Sequence, residues 1–290
     1  VNGDETYLSW HNHNYEKQND NADPVVADPS GFQWSEIDYR VDTLVLKMRD
    51  LLAARGEKLF ITLCFVDFNK GNPGTLQYAS KPQEYAELIA ATFDHLREKY
   101  GLTPDALEIV LEPENSGAWR AERIAPAARA AVKRLAAMGI HPRIIGPSTK
   151  QAKNAVRYFN TATRAGAKID VLSYHSYDRP TDDVRRAIAR QASVYGASTA
   201  MLEHFSADVN EFYRDVTIAN ASAWQQWAIG HVLDNNKYLL VADDVLDQLI
   251  KPDQLSLKWK AGELPLIAGS TEDPGKPDGA ERTITGPGEV

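Results

Sequence analysis

The feature that most constrains the fold of this chain is a regular alternation of short apolar runs with amphipathic stretches. The apolar runs are too short for helices and rich in β-branched residues, which is typical of buried strands. Strands that alternate with helices in this way predict a parallel sheet. The predicted strands are Tyr7–Trp10, Leu59–Asp67, Leu107–Glu112, Arg143–Pro147, Ile169–Tyr174, Thr199–Glu203 and Ser222–Trp227.

Four of the stretches between the strands carry a helical pattern of apolar residues, and each is followed by a glycine. Between Pro82 and Tyr100, apolar residues recur at three- and four-residue spacing. Pro82 suits the first turn of this helix, and Gly101 suits the left-handed residue after its last turn. The predicted helices are Ser35–Arg55, Pro82–Tyr100, Ala121–Met138 and Thr181–Tyr195.

The ends of the strands favour a closed (β/α)8 TIM barrel over an open doubly wound sheet. Several strands end in polar or ionisable residues, and no glycine-rich phosphate loop follows any of them. A barrel of this kind needs eight strands, and the chain shows seven. We therefore expect that the first strand precedes Val1, that another segment closes the sheet, or that one strand has no clear pattern.

The length and the changes in composition suggest one large domain with an extension. The chain has 290 residues, which suits a single α/β barrel. We expect residues 1–250 to form the barrel catalytic domain. Residues 251–290 are rich in Gly and Pro and predict an extension or the start of a small β accessory region, in which Glu263–Ala268 and Arg282–Thr285 would be strands.

Charge and hydropathy exclude two classes of partner. The net charge of −8 and the pI near 5.4 argue against nucleic acid, and no apolar run reaches the roughly 18–20 residues that cross a bilayer. The single cysteine, Cys64, lies in an apolar run and is expected to be a small buried residue. No signal peptide is recognisable at Val1, so we expect a mature or trimmed chain, or one without a leader.

Two glutamates stand at the carboxyl ends of predicted strands. Glu112 ends the run Leu107–Leu111 and is followed by Pro113, which has no N–H for a sheet, and Glu203 ends the run that begins at Thr199. Ligands bind at this end of parallel strands. A pair of carboxyls there suits glycoside hydrolysis, in which one protonates the leaving oxygen and the other attacks or activates water.

Two further glutamates compete for the first role. Glu114 lies two residues beyond Glu112, but Glu112 shares strand parity with Val110 and directly precedes the proline. Glu108 has the same parity, yet at ~3.3 Å per residue it would lie about 13 Å lower, at the opposite rim. We therefore favour Glu112 and interpret Glu108 as structural.

Tryptophans near the strand ends support a sugar site. Their flat faces suit the C–H faces of sugar rings. Trp10, Trp119 and Trp224 are the candidates for contact with a ligand, whereas Trp34 and Trp227 are expected to pack between helix and barrel.

Four short motifs follow the order seen in a known family. Glu112–Pro113, the sequence SYHSY at 173–177, MLEH at 201–204 and AWQQW at 223–227 together resemble clan A glycoside hydrolases. This resemblance implies a retaining (β/α)8 barrel with its acid/base glutamate after the fourth strand and its nucleophile after the seventh. In that frame the missing strand is the first.

The resemblance also implies roles for individual residues. Glu112 would be the acid/base, Glu203 the nucleophile, His175 a positioning residue for the nucleophile and Trp224 the floor of the sugar site. The family usually has an asparagine before the acid/base to hold the sugar 2-hydroxyl, whereas this chain has Leu111. The full set of expected substrate-binding residues is Trp10, His11, His13, Asn115, Trp119, His175, Tyr177 and Trp224, with Asn12 as another possible substitute for the missing asparagine.

The resemblance further implies the substrate and the setting. A β-linked polysaccharide or oligosaccharide would be cleaved by double displacement without a cofactor or metal, by a protein that is secreted, extracellular or periplasmic. In such a mechanism the carboxyls stand roughly 5–5.5 Å apart. We expect the Glu203 anion to raise the pKa of Glu112, and His175, Tyr174 or Tyr177 to donate hydrogen bonds to Glu203.

Two other classes of function remain open at this point. His11 and His13 share strand parity and could bind one metal ion together with His175, as in a metal-dependent barrel hydrolase or isomerase. His204, with Asp67 or Asp178, would complete that site, but the last strand lacks the aspartate such a site needs. A non-catalytic carbohydrate-binding barrel would keep the aromatic residues and need neither glutamate.

Overall fold

The computed structural model describes residues 20–68, 78–204 and 209–225, together with the backbone of two further strands, Ser256–Lys260 and Glu281–Thr285. The predicted strands Tyr7–Trp10 and Glu263–Ala268 lie outside the described residues, as do His11, His13 and Trp227.

Six strands form one parallel sheet in sequential order, so each strand pairs with the next one along the chain. These are the last six of the seven predicted strands, with somewhat different ends. The strands are β1 (Thr62–Cys64), β2 (Ala106–Glu108), β3 (Arg143–Thr149), β4 (Val171–His175), β5 (Ser198–Glu203) and β6 (Ala221–Trp224).

Helices connect the successive strands and pack against their neighbours in chain order. A π-helical turn, Val41–Val45, separates the first two, which the sequence predicts as one continuous helix. The helices are α1 (Ser35–Arg40), α2 (Leu46–Ala53), α3 (Pro82–Tyr100), α4 (Pro113–Ser116), α5 (Ala121–Ala137), α6 (Ala152–Arg164), α7 (Asp182–Tyr195) and α8 (Val209–Thr217).

Two of the longer helices, α6 and α8, have no counterpart in the sequence prediction. Helix α6 buries small residues for the most part, with Ala152, Ala155 and Ala162 beside Phe159. A pattern search based on large apolar residues misses such a face. The glycine ends are confirmed, since Gly101 and Gly196 each adopt φ 65 at the ends of α3 and α7.

The two faces of the sheet bury different residues. Leu107, Leu172 and Met201 belong to the main core, which includes the buried faces of the helices, whereas Ala106, Val171 and Ala200 form a smaller cluster on the opposite face. This alternation follows the two-residue period of a strand. A sequential parallel sheet with its helices on one face is an arrangement that a (β/α) barrel uses. The α/β fold with a parallel sheet is confirmed, and closure into a full barrel stays a prediction.

The C-terminal part contributes a second sheet, in which β7 (Ser256–Lys260) pairs antiparallel with β8 (Glu281–Thr285). The predicted strand Arg282–Thr285 lies within β8 and is confirmed. The domain boundary near residue 250 falls outside the described residues and stays a prediction. In the described part of the chain, the helices are too short or too polar to cross a bilayer.

Candidate active site

Three ionisable side chains meet at the carboxyl end of the parallel sheet. His175 Nδ1 lies 2.9 Å from Glu112 Oε1 and 3.8 Å from Glu203 Oε1. One ligand-type atom from each of the three residues lies within 4.8 Å of the other two. The His175 side chain is fully buried, and those of Glu112 and Glu203 are 7% and 14% exposed. The two glutamates that the sequence singles out are therefore neighbours around one histidine.

Glu112 is reached by a sharp change in backbone direction. Regular β2 ends at Glu108, but sheet-like bonds continue, with Leu111 N donating to Phe65 O and Glu112 N to Ser148 O. Glu112 itself has φ 42 and ψ 63, a left-handed conformation that costs a residue other than glycine about 1–2 kcal/mol. Pro113 then begins α4. Such backbone strain is typical of functional sites.

Glu203 is brought to the same face of the sheet by a β-bulge. Tyr174 pairs with Met201, and His175 pairs with Glu203, so Leu202 is an extra residue in β5. Without the bulge, strand alternation would turn Glu203 to the helix side with Met201. The bulge instead leaves Glu203 beside His175. No pattern in the sequence indicates this bulge.

Each carboxylate also accepts a hydrogen bond from a neutral donor. The Tyr177 hydroxyl donates to Glu203 Oε1 at 2.7 Å, and the Asn115 amide donates to Glu112 Oε2. Tyr177 was one of the predicted donors to Glu203. Tyr174, another, donates to Asp215 instead, and the shorter contact of His175 is with Glu112.

The pKa of the Glu203 carboxyl is raised above its usual value. Burial raises the pKa of the Glu203 carboxyl, while the charge of His175 and the Tyr177 hydrogen bond oppose the rise and Glu112 adds to it. Burial and the contact with Glu203 also raise the pKa of the Tyr177 phenol well above its usual value. Tyr177 therefore stays protonated and remains a donor at neutral pH.

The competing glutamates lie outside the cluster around His175, although the charge of Glu108 adds to the raised pKa of Glu203. Glu114 Oε1 accepts a hydrogen bond from Gln151 N at 3.2 Å, just before α6, and Glu114 is not part of the cluster around His175. Glu108 does not lie at the rim; it is the last residue of β2, 5% exposed, and pairs in register with Cys64. Cys64, expected to be buried, is half-buried in β1, and burial raises the pKa of its thiol.

Two tryptophans predicted to contact a sugar occupy packing positions. Trp119 is 1% exposed and donates through Nε1 to Asp67 Oδ2 at 2.7 Å. Trp224 pairs with Met201 on the helix side of the sheet, and its Nε1 donates to Asp215 Oδ2 at 3.2 Å. The structure brings neither of them to the two carboxylates. Trp34 stacks on Phe32 and His95, in the packing role expected for it.

Among the residues that the structure describes, those proposed for a metal site are dispersed, apart from His175. His204 Nδ1 lies 2.8 Å from Glu211 Oε1, and Asp67 accepts from Trp119. Asp178 caps α6 by accepting from the backbone N–H groups of Ala152 and Lys153. Within the described ranges, the group that has the spacing of metal ligands is Glu112, His175 and Glu203.

Comparison with known proteins bears on the fold. No protein-family model and no curated protein matches the chain. Among solved structures, the catalytic domain of GH30 xylanase C from Talaromyces cellulolyticus has a TM-score of 0.53 at 16% identity, covering 73% of this chain and 55% of that one. A conserved exported protein from Bacteroides fragilis has a TM-score of 0.52 at 13% identity, covering 72% and 55%.

A monomeric β-xylosidase from Caulobacter crescentus CB15 is also similar, at 21% identity and a TM-score of 0.45, covering 68% of this chain and 49% of that one. The chain spans about half the length of these structures. The GH30 catalytic domain is a clan A glycoside hydrolase, so the resemblance drawn from the motifs is confirmed at the level of the fold.

Proposed function

We propose that this protein is a retaining glycoside hydrolase that cleaves β-linked polysaccharides or oligosaccharides, with Glu112 as acid/base and Glu203 as nucleophile. The observation that carries the proposal is the distance between the two carboxyl groups. One carboxylate oxygen of Glu112 lies within 4.8 Å of one carboxylate oxygen of Glu203. Retaining enzymes hold these groups about 5–5.5 Å apart, whereas inverting enzymes leave roughly 6.5–9.5 Å for a water molecule.

The proposed reaction has two displacements. Glu203 attacks the anomeric carbon while Glu112 gives its proton to the leaving oxygen, which yields a glycosyl ester on Glu203 and an ionised Glu112. Glu112 then takes a proton from water, and the resulting hydroxide equivalent displaces Glu203 from the sugar. One negative charge therefore passes from Glu203 to Glu112 and back.

His175 is placed to interact with that charge in both steps. Its Nδ1 lies between the two carboxylates, at 2.9 Å from Glu112 Oε1 and 3.8 Å from Glu203 Oε1. Its Nε2 is buried and has no hydrogen-bond partner among the described residues, whereas Nδ1 faces both carboxylates, so we assign a proton to Nδ1. A donor shared in this way stabilises whichever glutamate is ionised.

Tyr177 supports ionisation of the nucleophile. Burial raises the pKa of Glu203, which disfavours the attacking anion. The 2.7 Å hydrogen bond from Tyr177 and the nearby His175 act against this rise. Asn115 fills the corresponding place beside Glu112, where its amide donates to the carboxylate.

The proposal extends to the rest of the molecule. Closure of the six-stranded sheet into a (β/α)8 barrel would enclose the face that carries Glu112 and Glu203. Action outside the cell is the setting in which a polymeric sugar substrate is reachable. The boundary of the barrel domain near residue 250 belongs to the same proposal.

The test uses covalent labelling of the whole chain. A panel of β-linked glucans, xylans, mannans and galactans identifies the sugar, and the matching 2-deoxy-2-fluoro glycoside then reacts with the protein. We expect peptide mapping to find the label on Glu203. A label on another residue, or no hydrolysis across the panel, contradicts the assignment.

Two controls separate the alternatives. Glu112→Ala should recover turnover with azide and yield a β-glycosyl azide, whereas Glu114→Gln should hydrolyse the substrate at close to the original rate. Treatment with EDTA should leave activity unchanged; loss of activity with EDTA and recovery with a divalent metal would favour the metal hydrolase. Binding of a glycan without any hydrolysis would favour the non-catalytic barrel.

A further inference from the structure

We propose that Glu211 and His204 act as a positioning pair that holds Tyr177 against the nucleophile. The inference rests on the proposed function of Glu203 and adds two residues to it. Glu211 lies on α8, which the sequence prediction misses, and His204 directly follows Glu203. Neither side chain touches the carboxylates of Glu112 or Glu203 in the described contacts, whereas the His204 ring contacts Tyr177, so we assign their effect to Tyr177.

The geometry is a chain of three contacts. Glu211 Oε1 lies 2.8 Å from His204 Nδ1. The His204 ring packs edge-on against the Tyr177 ring, with centroids 5.4 Å apart and an interplanar angle of 85°. The Tyr177 hydroxyl donates to Glu203 Oε1 at 2.7 Å. The position of the hydroxyl therefore depends on where the His204 ring stands.

Burial makes the contact between Glu211 and His204 specific. The side chains of His204 and Glu211 are 9% and 13% exposed. Burial raises the pKa of Glu211, and the charge of His204 opposes that rise. The attraction between an imidazole and a carboxylate 2.8 Å apart is screened little in such a shielded place, which favours one position of the His204 ring over others.

Helix α8 is itself held firmly behind the strands. Asp215 lies one turn after Glu211 and accepts hydrogen bonds from Tyr174 of β4 and Arg185 of α7. Residues four apart share a face of a helix. The same face of α8 therefore anchors β4 through Asp215 and directs Glu211 to His204, so Tyr177 is fixed by the helix layer as well as by its own loop.

The Tyr177 ring has two other neighbours, and both lie farther from it than His204 does. Lys150 Nζ lies 6.0 Å from the centre of the ring, at the outer limit of a cation–π contact. The His175 ring is also an edge contact, with centroids 6.2 Å apart. His204 is the closest aromatic neighbour of Tyr177 among the described residues.

The kinetic test compares variants of the full chain on an activated aryl glycoside. Displacing a catalytic group by a fraction of an ångström to 1 Å slows an enzyme by up to about 100-fold. We expect Glu211→Ala to lower kcat for formation of the glycosyl-enzyme about 10- to 100-fold with a smaller change in KM, and Glu211→Gln to lower it less. The matched control is Arg214→Gln, which lies on the same helix as Glu211, removes an exposed ion pair with Asp182 of α7 and should keep its rate.

A double-mutant cycle shows whether the effect passes through Tyr177. In a Tyr177→Phe background, Glu211→Ala should have little additional effect on glycosylation, because the hydroxyl that it positions is gone. Additive losses, or a full rate for Glu211→Ala with intact folding, overturn the proposal.

A spectroscopic readout separates this inference from the proposed function. With 3-fluorotyrosine in place of tyrosine, the ¹⁹F signal of Tyr177, assigned by its loss in Tyr177→Phe, should shift in Glu211→Ala and not in Arg214→Gln. A shift in a protein that hydrolyses no glycoside contradicts the proposed function but retains the contact. An unchanged signal overturns the positioning pair whatever the activity.

Discussion

Two buried carboxylates beside the same strands, Asp215 and Glu203, differ in how their negative charge is compensated. Asp215, on the helix side, is fully buried and accepts hydrogen bonds from Arg185 at 2.7 Å, Tyr174 at 3.0 Å and Trp224 at 3.2 Å. Glu203, on the other side, accepts from Tyr177 and shares His175 with Glu112. In the described ion pairs, no arginine or lysine joins Glu112 or Glu203.

The contrast shows what each carboxylate is suited to do. Asp215 has a permanent counter-charge and donors from β4, α7 and β6, so it holds elements together. Glu203 is buried beside another carboxylate and has a raised pKa, so its negative charge is poorly compensated. Substitutions at the two positions should therefore affect different properties, stability at Asp215 and turnover at Glu203.

The largest expected effect is on turnover. In the proposed mechanism, Glu203→Gln removes the attacking oxygen with almost no change in shape, so kcat should fall roughly 10⁴-fold or more, as when other enzymes lose their nucleophile. The midpoint of thermal unfolding should change little. Steady-state kinetics and differential scanning calorimetry on the same preparation check both statements, and a fall in activity that follows a fall in stability contradicts them.

The next effect is on stability. Asp215→Asn leaves the Arg185 guanidinium, which is 2% exposed, without its counter-charge. Breaking a buried pair by removing one partner destabilises a protein by about 3–5 kcal/mol. Urea unfolding of Asp215→Asn should show a loss of this size in the free energy of unfolding.

An exposed pair on the neighbouring helix is the matched control for Asp215. Asp183 and Arg186 of α7 form an ion pair whose side chains are 90% and 54% exposed. Asp183→Asn should change the free energy of unfolding by less than about 1 kcal/mol, because solvent screens such pairs. Equal losses for Asp183→Asn and Asp215→Asn would mean that burial is not what distinguishes Asp215.

The same contrast explains what could be predicted from the sequence. Glu112 and Glu203 are found because a carboxylate at the end of an apolar run is a local signal. Asp215 and Glu211 lie on α8, whose role depends on contacts with residues distant in the chain, so no local pattern marks them. Trp224 was expected to form the floor of the sugar site, but it lies on the helix side of the sheet. Its side-chain direction follows from its pairing with Met201, which a local sequence pattern does not show.

Two backbone irregularities of the candidate site could not be predicted from the sequence either. The bulge at Leu202 turns Glu203 to the same face as His175, and the left-handed conformation of Glu112 ends its strand. Both depend on pairing across strands, which is set by the whole sheet. Strand parity alone would have placed Glu203 on the helix side, although its position at the strand end was predicted well.

The smallest expected effect is the pH dependence of stability, which tests the electrostatic side of the comparison. A carboxyl whose pKa is higher in the folded protein than its usual value of 4.5 binds more protons when folded than when unfolded. Stability contributed by Glu203 is therefore present at low pH and is lost as the pH rises above about 4.5. Relative to Glu203→Gln, the original protein should become less stable between about pH 4 and pH 7. Urea unfolding at both pH values measures this difference directly.

Adding Tyr177→Phe to the protein with Glu203 intact should enlarge the loss of stability between pH 4 and pH 7, because the donor that favours the Glu203 anion is removed. A gain in stability across the same range would mean that His175 and Tyr177 outweigh burial, and that Glu203 is compensated as well as Asp215.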